Sequence, residues 1–310
     1  MKRIVTIGGG TGQYTLLKGL KNYDIQLTAI VSVLDNGGSS GELRSEFGIL
    51  PPGDIRNCLL ALADESKIGD LKHIFQYRFP EGKLSNHNLG NLIIASLNEK
   101  YGNMGESVNA VSKILGIKNK VLPISNDNSN LYAETSEGEK LQGEFEVNYS
   151  DKARNINKVW LEPQAHIYKE SAEEIRKSDI IVICPGDLYG SIVPNFLVEG
   201  FKEAIKESNA KIVYVCNLVT KQGTFGFKAN DFLETIEKYL GIEVDYVICN
   251  TKKPSQKVMD KYRKEESFFI EPNIERKNVI NGEFLLEHDI GGFFTARHDS
   301  NKIAKIILNL

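Results

Sequence analysis

Apolar, β-branched runs that stop at glycine or asparagine and give way to helical periodicity recur along this chain, and nothing else constrains its fold as tightly. Residues 3–7 end in Gly8-Gly9-Gly10-Thr11-Gly12, after which Tyr14, Leu16, Leu17 and Leu20 repeat at helical spacing. Residues 27–34 end in Asp35-Asn36-Gly37-Gly38, 180–184 in Pro185-Gly186, 211–216 in Asn217 and 245–249 in Asn250. Continuous apolarity, as opposed to alternation, describes strands covered on both faces, as in a parallel sheet. Helical patterns lie between and beyond them, at 54–64, 89–101, 106–115, 194–206, 229–239 and 301–308. The expected fold is α/β: a Rossmann-like three-layer sandwich with a mostly parallel sheet.

One stretch breaks the rhythm. Between residues 121 and 167, short runs at 121–124, 144–147 and 159–161 alternate with polar turns. They read as a small β-rich excursion on the same domain, so residues 1–310 are taken as one domain. Asn126-Asp127-Asn128-Ser129-Asn130 has the composition of a calcium loop without its required glycine and glutamate, and reads as a solvated turn. A chain of 310 residues, 41% apolar and 25% charged, has the makings of an ordinary globular core. Its net charge of −3 argues against a nucleic-acid partner, which asks for a basic surface. No apolar run approaches the roughly 20 residues of a membrane span, and the run at 4–7 meets three glycines too soon for a secretory signal. Cys58, Cys184, Cys216 and Cys249 are widely spaced, with no CxxC pair, and suit small core residues in a reducing cytoplasm.

In an open α/β sheet, ligands bind beyond the carboxyl ends of the strands. The glycine-rich turns fall there. Gly9, Gly10, Thr11 and Gly12 follow a strand and open a helix, the setting in which backbone amides hold phosphate. A Rossmann fingerprint would need its third glycine at Gln13, and a P-loop would need Gly-Lys-Ser/Thr at Gln13-Tyr14-Thr15; neither is met. The second cluster runs from Asp35 through Ser39, Ser40 and Gly41 to Arg44. An acid, a glycine–serine loop and an arginine suit magnesium and phosphate together, with Asp35 as metal ligand. Pro51-Pro52-Gly53-Asp54-Ile55-Arg56-Asn57 reads as a rigid turn feeding a helix with Asp54 at its N-cap. Arg56 in that first turn opposes the helix dipole, which suggests that it points at an anion or an acid. His87 is a candidate acid–base group, although a lone histidine is more often structural. Arg297 offers a fork for phosphate and Asp299 a cap for the last helix. Trp160, Phe225 and Phe227 read as packing residues.

Taken in order, the 8–12 turn, the 35–41 loop, residues 51–57, His87-Asn88-Leu89-Gly90-Asn91, Pro185-Gly186-Asp187-Leu188-Tyr189 with Pro194-Asn195, and Cys216-Asn217-Leu218-Val219-Thr220 form a series. That series resembles the CofD/YvcK family over nearly the whole chain. One branch of the family is the 2-phospho-L-lactate transferase, which uses a nucleoside diphosphate-activated donor. The other is the YvcK group of gluconeogenesis factors, which bind UDP-N-acetylglucosamine and tie carbon supply to peptidoglycan precursor synthesis and cell shape. Residues 51–58 and Arg297-His298-Asp299 are closer to the second branch. The resemblance implies that Thr11, Asn195 and Arg297 hold a UDP-sugar. With Gly9, Gly10, Gly12, Ser39, Ser40, Asp54 and Asn217 they make the expected ligand site.

The chain departs from the family around that site. Two adjacent aspartates are usual where it has Asp35-Asn36, a serine at Asp187, a threonine at Gly190 and a glutamine at Lys221, while Thr224-Phe225 stand where an acid is common. Asp187 would then take over the metal role lost at Asn36, beside Asp35. The leading expectation is a cytoplasmic, homodimeric nucleotide-sugar-binding regulator acting on an enzyme of amino-sugar synthesis, with magnesium as cofactor. The alternative is a magnesium-dependent transferase in which Asp35 holds the metal, Arg44 and Arg56 meet charge on the leaving phosphate, and His87 exchanges a proton. A nicotinamide-dependent dehydrogenase is disfavoured by the missing third glycine.

Overall fold

The structure, a computed structural model, describes residues 1–34, 36–290 and 293–310. Its strands are β1 (Arg3–Gly8), β2 (Gln26–Val31), β3 (Lys120–Pro123), β4 (Asn130–Thr135), β5 (Lys140–Gln142), β6 (Ile156–Glu162), β7 (Ile180–Ile183), β8 (Lys211–Val215), β9 (Tyr246–Asn250), β10 (Val279–Gly282), β11 (Leu285–Ile290) and β12 (Phe293–His298). Among the described residues seven of these make one parallel sheet, in the order β10-β9-β8-β7-β1-β2-β3. The α/β sandwich expected from the continuous apolar runs is therefore present. The chain builds outward from β1 through β2 to β3, then returns to β7 on the other side and builds toward β10. The carboxyl ends of β1 and β7 thus border the crevice where the connections diverge, which is where open sheets bind ligands.

The helices are α1 (Gly10–Leu20), α2 (Gly38–Phe47), α3 (Gly53–Leu62), α4 (Glu65–Gln76), α5 (Leu89–Tyr101), α6 (Met104–Ile114), α7 (Glu144–Tyr149), α8 (Lys169–Lys177), α9 (Val193–Phe196), α10 (Phe201–Lys206), α11 (Ala229–Leu240), α12 (Gln256–Lys264) and α13 (Ser300–Asn309). α1 buries Leu16, Leu17 and Leu20 in the main core, and α13 lays Ile303 and Ile307 into the same core. Asp299 caps α13 by accepting from the Lys302 amide at 3.1 Å, as expected. Among the described residues no helix is long and apolar enough to cross a membrane.

Five local expectations are corrected by packing. The run at 121–124 belongs to the main sheet as β3, paired with β2, and the excursion proper is the antiparallel sheet β5-β4-β6. The alternating apolar run at 144–147 folds as α7. Its first turn is held from outside, because the Asn36 side chain accepts from the Phe145 amide at 2.9 Å while Val147 is buried. The single helix expected at 194–206 is two, α9 and α10, broken at Gly200 with φ +87 where Glu199 pairs with Ala165 and Ile167 of the excursion. The 35–44 cluster, read as a loop, is helical from Gly38 onward, with Leu43 and Arg44 buried against neighbouring elements. The turn at 126–130 is docked, not simply solvated: Arg44 donates to the side chains of Asn128 and Asn130 and to the carbonyl of Ser129.

Candidate functional site

The site grows from the end of β1. Gly9 is extended, and Gly10 takes φ +66, a left-handed conformation that favours glycine. α1 starts there with no acidic residue in its first turn, so its free amides and positive dipole end face the crevice. Gly12 is fixed by proximity: a β-carbon there would lie 1.8 Å from the Pro185 carbonyl oxygen, so this turn and the turn after β7 touch backbone to backbone. Gln13, which occupies the position of the third Rossmann glycine, is fully buried. Its amide donates to Thr6 O, Thr6 Oγ1 and Ile30 O at 3.0 to 3.2 Å, clipping α1 onto β1 and β2.

The other walls are locked in turn. After β8, Asn217 donates from its amide to the Gly186 carbonyl at 2.5 Å and accepts from the Tyr214 hydroxyl at 3.0 Å. The Asp187 carbonyl receives the amides of Ser191 and Ile192, closing a short π turn at Leu188–Ile192. On β12, the His298 Nε2 lies 3.1 Å from the Cys216 carbonyl; since a carbonyl only accepts, the hydrogen sits on Nε2. Burial pulls the His298 pKa down from 6.5 to about 4, the bond to Cys216 opposing and Arg297 assisting. The neighbouring Ala296 amide donates to the Tyr262 hydroxyl at 3.2 Å. These two bonds set β12, and with it Arg297, against the crevice.

The result is a cavity of about 260 Å³ whose wall includes Gly9, Gly10, Thr11, Gly12, Asp187, Asn217 and Arg297, seven residues singled out from sequence. Tyr149, Ser191, Lys221, Tyr262 and His298 join them. Among the described residues no carboxylate lies within 4 Å of Arg297. The Lys221 ammonium stands 5.5 Å over the Tyr149 ring. Asp187 is the one acid among the described lining residues; burial pushes its carboxyl pKa up, and Lys221 opposes that rise. Backbone amides, a helix dipole and two cations against one acid make a site for an anion.

Other sequence candidates fall elsewhere. Asn195 is buried, and its amide donates to the Ser191 and Ile192 carbonyls at 2.7 and 3.1 Å, so it braces the π turn that carries Ser191 to the wall. Asp54 is not an N-cap: Pro52 holds that position, and the Asp54 carboxylate sits behind Gly9, where a β-carbon would come within 2.6 Å of it. Arg56 is held by neutral amide groups, with the Asp54 carboxylate close enough to oppose the effect of burial on its pKa. Its fork rests on the amide oxygens of Asn91 and Asn57 at 2.7 and 2.9 Å, and burial, with Arg78, lowers its pKa to about 10. Ser39 and Ser40 are buried on α2. The Ser39 hydroxyl accepts from the Asn88 amide and the Asn91 side chain and lies 3.3 Å from His87 Nδ1, while His87 Nε2 meets Glu42 at 3.2 Å. That hydroxyl is engaged by three buried neighbours and, with Ser40, does not line the glycine-turn cavity. Asp35 lies outside the described residues, and among the described residues no three His, Cys, Asp or Glu side chains cluster as metal ligands.

Tyr149 and Tyr262 carried no local signal as lining residues, because each reaches the cavity from an element distant in sequence, whereas His298 lay within the Arg297-His298-Asp299 run. Phe225, read as packing, is exposed, with the Arg154 guanidinium 4.5 Å over its ring.

Comparison with known proteins agrees with this architecture. The sequence model of the family described as 2-phospho-L-lactate transferase CofD matches residues 4–286. The gluconeogenesis factor of Halalkalibacterium halodurans is 41% identical over 99% of this chain and 96% of its own, and that of Bacillus subtilis 36% over 99% and 98%. A Thermotoga maritima protein, 45% identical over 98% of each chain, carries the same name provisionally. A crystal structure of a Bacillus halodurans protein described as a UPF0052 family member superposes with a TM-score of 0.93 at 40% identity, covering 99% of this chain and 100% of that one. With the family model matching residues 4–286 and relatives matched over nearly its full length, the chain belongs to the CofD/YvcK family.

Proposed function

We propose that this chain is a nucleotide-sugar-binding regulator whose cavity takes a nucleoside diphosphate sugar of the UDP-N-acetylglucosamine type. In this reading it links gluconeogenic growth to peptidoglycan precursor synthesis and cell shape, as a cytoplasmic homodimer acting on an enzyme of amino-sugar synthesis. The observation that carries the reading is the convergence of the 9–12 amides and Arg297 on one cavity. A diphosphate needs donors that do not titrate near neutrality, and backbone amides and a guanidinium are such donors. The half-exposed Tyr149 ring, with the Lys221 ammonium over it, stands on the same wall. The shared name of the relatives supports the metabolic side.

Magnesium belongs to the same proposal. The ion is satisfied by one or two carboxylates when water and substrate phosphate supply the rest, and Asp187 on the wall provides one. Bound there it would offset diphosphate charge.

Calorimetry with UDP-N-acetylglucosamine, with and without magnesium, tests the proposal. Arg297→Ala should weaken binding by roughly 1.5–3 kcal/mol, the loss expected for a charge-assisted hydrogen bond. Absence of heat at millimolar ligand with folded protein would overturn it. The transferase alternative draws on the description of the matching family, but two of its required groups are committed elsewhere: Arg44 to the 128–130 turn and His87 to Ser39 and Glu42. Turnover of a phospholactate-type acceptor would revive it.

A further inference from the structure

At the opposite end of α1 the chain builds a larger hollow, about 550 Å³, into which Lys18, Lys21, Lys67 and Lys118 converge with Asp64 and Glu65. Three separate parts of the chain contribute: the last turns of α1, the connection from α3 into α4, and the turn between α6 and β3. Lys18 and Lys72 share Glu65 at 3.5 and 3.2 Å, and Lys67 pairs with Asp64 at 3.4 Å. With Lys72 counted, five cations face two acids, a local excess of three positive charges in a chain whose net charge is −3.

Lysines in the last turn of a helix complement its dipole, which accounts for Lys18 and Lys21 but not for Lys67 and Lys118 facing them from other elements. Lys21 is the more informative residue. Its half-buried ammonium donates to the Ala63 carbonyl at 2.8 Å, and among the described residues no carboxylate comes within 4 Å of it. Burial, the largest influence on it, holds its pKa below the ordinary lysine value. A cation that has surrendered part of its hydration for a neutral partner gains from any anion brought beside it. Lys118, exposed on the facing wall, likewise has no carboxylate within 4 Å among the described residues.

We propose that this cavity is a second anion site, taking a small soluble ligand that carries two or more phosphate charges. It is separate from the glycine-turn cavity, since an eleven-residue helix, roughly 16 Å long, lies between them. Concavity and size favour a compact metabolite over a flat polyanionic surface.

Calorimetry with inorganic pyrophosphate on the full chain tests this. Arg297→Ala weakens the glycine-turn cavity, and that variant should still bind one pyrophosphate per chain. Adding Lys21→Gln and Lys118→Gln should weaken the remaining event at least tenfold, because each substitution removes a full charge from the wall. Lys118→Gln alone, an exposed change that leaves the core untouched, should weaken it about threefold or more, so the test stands even if Lys21→Gln folds poorly. Loss of all pyrophosphate binding in Arg297→Ala would overturn the proposal. So would an affinity unchanged by Lys118→Gln and by the double lysine substitution. Neither result bears on whether the glycine-turn cavity takes a nucleotide sugar.

Discussion

Lowering the pH from 6.5 to about 4 should cost this protein stability through one buried side chain, His298. Its ring is 6% exposed and its Nε2 donates to the Cys216 carbonyl at 3.1 Å. The unfolded chain takes up the proton near 6.5 and the folded chain only near 4, so between those values the unfolded state binds more protons. Stability therefore falls as acid is added. The difference corresponds to roughly 3 kcal/mol, present in full above 6.5 and lost once the pH has passed through about 4. Other groups titrate over the same range, so the measurement is a difference: urea unfolding of the wild type against His298→Gln, whose amide can keep the donation to Cys216 without titrating. The wild type should lose about 3 kcal/mol more than the variant across the interval. Parallel stability curves would refute the reasoning.

Gly12→Ala should be severe for its size. The added carbon would meet the Pro185 carbonyl oxygen at 1.8 Å and its carbon at 2.8 Å, backbone that cannot rotate aside. Separating the two turns should cost about 1–3 kcal/mol or more, read as a lowered Tm, and should weaken ligand binding at least tenfold; a wild-type Tm would show that the contact yields. Gln13→Leu should separate stability from binding. It removes the donor to three buried acceptors, Thr6 O, Thr6 Oγ1 and Ile30 O, for about 2–3 kcal/mol by chemical denaturation, with ligand affinity nearly unchanged because Gln13 does not line the cavity. A large loss of affinity at constant stability would contradict that assignment.

Periodicity and punctuation determined much of this protein from its sequence alone. Five continuous apolar runs became β1, β2, β7, β8 and β9, because a strand covered by helices on both faces has no polar side to show. The glycine turn after β1 was legible for the same kind of reason: a turn that must take φ +66 at one residue and admit a neighbouring backbone at another writes glycine into the chain. Charges and side-chain amides were less legible, since their partners are chosen by distance in space. Arg44 and Arg56 look suited to phosphate and His87 to proton exchange in the linear text, yet each is held on polar groups away from the cavity. Asn195 supports the π turn from behind, whereas Lys221 and Tyr149 reach the wall from separate elements. The sheet order decided the rest. By setting β7 directly against β1 it brings the two turns together, and the bond from His298 to Cys216 then fixes Arg297 over the crevice, a meeting of residues near the two ends of the chain that local pattern cannot encode.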